Sequence, residues 1–129
     1  MKFMLIMQGT KAGWESMYTW APGDIRAHIA FMKDLNAQLT KSGELVAAEG
    51  LDVPANVKVV RAQKGGAPAV TDGPFPEAKE FLAGFWIVDC ETPERALQIA
   101  ARASGAPGKG GAPTNFPIEV RQVMRAPEV

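Results

Sequence analysis

The run Phe81-Leu82-Ala83-Gly84-Phe85-Trp86-Ile87-Val88 constrains this chain more than any other stretch. Apolar residues that follow one another without alternation form a strand that is covered on both faces or lies at the centre of its sheet. The residues ahead of it set the approach. Asp72-Gly73-Pro74 is a turn, in which the Asp side chain bonds the backbone just ahead, Gly tolerates positive φ, and Pro74 keeps Gly73 out of the helical region. Phe75 is then held extended between Pro74 and Pro76, and the polar Glu77 to Glu80 leads into the strand.

The rest of the chain supplies the elements around that strand. Lys2 to Gln8 reads as a first strand with apolar residues on both faces, followed by a polar loop carrying Trp14, Tyr18 and Trp20. Those aromatic residues need cover: they close over the core, wall a ligand pocket or meet another subunit. Asp24 is the expected N-cap of a helix to about Ser42, with Gly43 as its stop. Ile25, Ile29, Met32, Leu35 and Leu39 form its apolar stripe, with His28 near the middle and facing inward. Asp34 falls on the solvent side.

Glu44 to Leu51 is a second strand, and Val57 to Gln63 with Pro68 to Thr71 a hairpin around Lys64 to Ala67. Thr92-Pro93-Glu94 starts a helix that buries Ala96, Leu97, Ile99, Ala100 and Ala103 and ends at Gly105. The glycine-rich Ser104 to Pro113 reads as a mobile loop. Pro117 to Met124 is the last strand, with Ile118 and Val120 on one face and Glu119 and Arg121 on the other.

With the hairpin set aside, the order is βαββαβ, so the fold expected is α+β and ferredoxin-like, in one domain over residues 1–129. Two helices cover one face of such a sheet. The apolar residues on the second face of Phe3 to Met7 and Phe81 to Val88 then call for a second copy packed sheet on sheet, a homodimer.

Fourteen basic and fourteen acidic residues leave no net charge and no basic cluster, which argues against nucleic acid as a direct partner. Cys90 is the only cysteine, so a reducing cytoplasm is the expected compartment, and the residue reads as a small buried apolar side chain. Phe3 to Met7 is too short for a signal-peptide core or a membrane span. Gly108-Lys109-Gly110-Gly111 lacks the spacing of a phosphate loop, and no dinucleotide, zinc-hydrolase or serine-hydrolase motif occurs. No metal or other cofactor is expected.

What remains is His28 with Asp72. His28 reads either as a core residue whose ring nitrogens are satisfied, or as a general acid or base oriented by Asp72 in a cleft. Asp72 serves equally as turn chemistry. Arg61 and Arg121 could hold a ligand carboxylate or stand in solvent.

The strings KFMLIM, AHIAF around His28, Ser42-Gly43 into Glu44-Leu45-Val46, TDGPF, AGFWIVD and IEVR cover nearly the whole chain. Together they resemble the DGPF branch of the YCII-related superfamily. Two departures, Gln122 where that branch usually has proline and the loose glycine-rich loop, fall at the edge of the cleft. The resemblance implies a dimeric α+β barrel and gives His28, with Asp72, the role of catalytic pair. Trp14, Phe75 and Arg121 are the expected ligand contacts. The function expected is binding of a small organic molecule, with His28 transferring a proton in a cofactor-free lyase- or isomerase-type step. The alternative that the resemblance implies is a noncatalytic domain partnering an alternative sigma factor or another transcription regulator.

Overall fold

A computed structural model describes residues 1–73 and 80–128. The elements run β1 (Lys2–Gly9), α1 (Lys11–Met17), α2 (Pro22–Lys41), β2 (Leu45–Gly50), β3 (Lys58–Arg61), β4 (Ala69–Asp72), β5 (Phe81–Asp89), α3 (Pro93–Ser104) and β6 (Ile118–Gln122). The main sheet has the order β2-β5-β1-β6 with every neighbour antiparallel. That is the ferredoxin-like α+β order, and β5, the apolar run, lies inside it between β2 and β1. Among the described residues, the β3–β4 hairpin pairs only with itself.

Register sorts the side chains. Phe3, Leu5 and Met7 of β1 lie opposite Val88, Trp86 and Gly84 of β5, and this row faces the helices. Leu35 and Leu39 of α2 and Ala96, Ile99, Ala100 and Ala103 of α3 pack on it as one buried core. Alanines at i, i+4 and i+7, with Ile99 at i+3, let α3 lie close to the sheet. The alternate row, Met4 and Ile6 against Ile87 and Phe85, points to the other face. There it stays half-exposed.

Four local expectations are corrected. The Trp14 segment is a short helix rather than a loop, because the Thr10 hydroxyl accepts from Gly13 N and caps it. Helix α2 is capped at Ala21 with Pro22 first, and Asp24 instead spends its carboxylate on the Gly110 amide (2.9 Å). Ile25 and Ile29 are 36% and 47% exposed, and Leu97 is also exposed. Lastly, the Ser104 to Pro113 loop is densely bonded: Thr114 N donates to Ala106 O, Gly108 N to Ala112 O, and Asn115 N to Ser104 O.

Glycine serves that loop by shape. Gly110 and Gly111 have φ of 67° and 80°, and a Cβ on Gly108 would lie 2.8 Å from Thr114 and 3.2 Å from Trp20. Both demands suit glycine alone.

Candidate functional site

His28 projects from the second turn of α2 into the space between that helix, the sheet and the glycine-rich loop. Its Nδ1 lies 2.9 Å from the carbonyl oxygen of Pro107. A carbonyl can only accept, so Nδ1 carries the proton and donates it. The neutral ring therefore presents Nε2 as an unprotonated acceptor. Trp20 meets the ring edge-on, with centroids 5.6 Å apart and planes at 72°.

Two clefts meet at His28. The larger, about 230 Å³, is lined by Met7, His28, Met32, Asn36 and Trp86 over a floor that includes Gly50 and Gly84. The smaller, about 70 Å³, lies toward α1 and is walled by Trp14, Met17 and Phe116, with Met7 and His28 shared. The larger cleft has a structural cause. Gly50 and Gly84 are cross-strand partners on the helix-facing row, so two side chains are missing from the sheet beneath α2. A strand-interior glycine of this kind marks a close approach. At Gly84 a Cβ would meet the Glu49 carbonyl oxygen at 2.9 Å, whereas at Gly50 it would meet nothing within 4 Å.

Helix α2 contributes a row of its own. His28, Met32 and Asn36 are spaced by four, so their side chains stand on successive turns along the larger cleft. Asn36 is held from below, where Trp86 Nε1 donates to its Oδ1 at 2.8 Å.

Of the residues singled out from sequence, His28 and Trp14 share the smaller cleft. The indole Nε1 of Trp14 is buried without a partner among the described residues. Asp72 stands elsewhere, at the end of β4, exposed and ion-paired with Lys58 across the hairpin. The Lys58 ammonium, through its hydrogen bond first and its charge second, holds the Asp72 carboxyl below its ordinary range. The bond recorded for the His28 ring goes to Pro107, not to Asp72. Arg121 pairs with Met4 and so lies on the sheet face away from His28. Phe75 lies outside the described residues.

Asp24, Asn36, Gly50 and Pro107 were not singled out for a site. Asp24 precedes His28 by one turn and ties down the loop that carries Pro107. A larger trough, about 860 Å³, opens at the far end of β1 beside Val123 to Arg125. Its Asp89 is engaged by the terminal amine at 3.0 Å. Among the described residues no three His, Cys, Asp or Glu side chains gather as a metal site would need, and no helix is long and apolar enough to cross a membrane.

A curated relative, the uncharacterized protein R00369 of Rhizobium meliloti (strain 1021), is 36% identical over 78 residues. The match covers 58% of this chain and 62% of that protein. The family model for the YCII-related domain matches residues 1–110, from β1 through α3 to the loop that binds His28. With this match and the ferredoxin-like strand order, the chain belongs to the YCII-related domain family.

Proposed function

We propose that this protein binds a small organic molecule in the clefts beside α2, and that His28 transfers a proton there in a cofactor-free lyase or isomerase step. One observation carries this reading: Nδ1 of His28 is committed to the Pro107 carbonyl, so Nε2 is the basic atom at the meeting point of two largely apolar clefts. A half-buried imidazole with one fixed tautomer is suited to general base catalysis, with the carbonyl steadying the imidazolium that forms. Asp24 supports it at a distance by holding the loop through Gly110.

Nitrogen NMR of His28 tests this. In the neutral ring the Nδ1-H form should dominate, reversing the preference of free histidine, and Asp24→Ala should return the ring towards a mixture. A ring protonated at Nε2 would present a donor instead of a base and defeat the assignment. In a substrate screen, His28→Asn should abolish turnover while leaving the fold intact.

The same reading includes a homodimer. Met4, Ile6, Phe85 and Ile87 make an apolar patch on the uncovered sheet face, with Arg121 and Glu119 along one margin. Sheet-on-sheet packing about a twofold axis would bury it. Sedimentation equilibrium should give twice the chain mass of 13.8 kDa. Ile87→Lys, which places a charge in the patch, should raise the dissociation constant by at least about thirtyfold. A parent protein that sediments as a monomer at micromolar concentration would refute the pairing.

A further inference from the structure

We infer that Asn36 is a second polar anchor of the larger cleft, and that the cleft takes an uncharged, flat molecule with a hydroxyl near one end and a carbonyl near the other. The inference rests on the small-molecule reading above and adds the class of ligand.

The orientation of Asn36 is determined by its neighbour. Indole nitrogen is a donor only, so the atom it meets at 2.8 Å is the amide oxygen. The amide nitrogen, with two hydrogens to give, is left over, and no described residue is bonded to it. Both Asn36 and His28 line the same cleft. Helix α2 thus offers an acceptor, His28 Nε2, and a donor, Asn36 Nδ2, two turns apart.

Spacing sets the length of the ligand. Eight residues of helix rise about 12 Å, and a hydrogen bond at each end takes about 2.9 Å. With both bonds directed along the helix axis, about 6 Å remains between the ligand's own polar atoms, by that helix rise and hydrogen-bond length. Para substituents on a six-membered ring span roughly that distance.

Shape and charge point the same way. Met7, Met32 and Trp86 give the cleft polarizable, adaptable walls that suit a flat ring, over the bare floor at Gly50 and Gly84. No Lys or Arg is among its described lining residues. Its other ionisable residue, Glu49, lies opposite Phe85, on the far face of the sheet. A carboxylate or phosphate entering here would lose water with no cation to replace it.

Binding measured by NMR titration tests the inference with para-hydroxyacetophenone, para-methoxyacetophenone and para-ethylphenol. Asn36→Asp keeps an oxygen that accepts from Trp86 and replaces the donor with a charged carboxylate oxygen that repels a carbonyl. It should weaken both ketones about tenfold and leave para-ethylphenol within threefold, with the Trp86 indole resonance unmoved. Equal loss for ketone and ethylphenol, loss for neither, or no binding of any probe at millimolar concentration would overturn it. So would tighter binding of para-hydroxybenzoate. His28→Phe should weaken the hydroxyl-bearing probes and spare the methoxy ketone. If His28→Phe leaves every probe unchanged while the Asn36 effect stands, the hydroxyl end of the inferred ligand is overturned together with the acid-base reading, and only the Asn36 anchor is kept.

Discussion

Glu44→Gln should destabilise the protein by about 2 kcal/mol near neutral pH, and the loss should vanish in acid. Glu44 stands at the corner between α2 and β2, and its carboxylate takes a two-pronged grip from Arg95 at the start of α3. Nε donates to Oε2 and a terminal nitrogen to Oε1, both at 2.8 Å. Ser42 Oγ adds a third bond to Oε1, also at 2.8 Å. A glutamine keeps the shape but turns a donor towards donors and removes the charge.

Arg95 first, with Ser42 contributing, holds the Glu44 carboxyl at about 2 against an ordinary 4.5. The folded value is the lower one, so the contribution is complete above about pH 4.5 and disappears as pH falls from there to about 2. At about 1.4 kcal/mol per tenfold change in proton affinity the ceiling is about 3 kcal/mol. Arg95 is 43% exposed, and solvent screening brings the expectation down to about 2 kcal/mol. Urea unfolding of both proteins at neutral pH and near pH 2 decides it. A gap below about 0.5 kcal/mol at neutral pH, or one that persists in acid, contradicts the account. Cys90 lies in the same corner. Burial pushes its thiol up and the charge of Glu44 adds to that, so it stays a protonated, inert core residue.

The order of elements was legible because each leaves a local mark. The unbroken apolar run of β5, the Thr92-Pro93 start of α3 and the alternation of Ile118 to Arg121 all depend on neighbours in sequence. The inward turn of His28 followed from the same periodicity. What periodicity lacks is the extent of the surface a helix meets. Ile25 and Ile29 share the helical stripe, yet the first turns of α2 adjoin Trp20 and the Pro107 to Gly111 loop, so these two stay exposed.

The site was legible only where chemistry is scarce. His28 stood out as the sole histidine, whereas its partner is a backbone carbonyl, which no side-chain pattern encodes. Asp72 is the converse case. Its partner, Lys58, comes from a hairpin register centred on Gly65, whereas a turn over Lys64 to Ala67 sets Gly73 opposite Lys58 and hides the pair. Glycine content suggested a mobile loop where the glycines permit positive φ and close packing on Trp20. Gly84 inside an apolar strand was the visible sign of a cavity, but its cross-strand partner Gly50 lies 34 residues earlier in the chain and is joined to it only by the register of the sheet.

That glycine pair gives the sharpest test of where the ligand lies. Gly50→Leu should abolish binding of para-hydroxyacetophenone, by at least about a hundredfold, while leaving the fold as stable as before or more so by about 0.5 to 1 kcal/mol. The new side chain starts from a Cβ with nothing within 4 Å, on the helix-facing row, where Gly50 lines the cleft together with Met32 and Trp86. It also removes backbone freedom that glycine gives to the unfolded chain. Gly84→Ala is the contrasting control. Its single methyl meets the Glu49 carbonyl oxygen at 2.9 Å and the Gly50 Cα at 3.4 Å. Backbone atoms cannot swing aside as a side chain can, so this smaller change should cost about 1 to 3 kcal/mol. Thermal unfolding with the same titration separates the two effects. If the larger residue at Gly50 leaves binding unchanged, the ligand occupies some other part of the surface, because a leucine there fills much of a cleft of about 230 Å³.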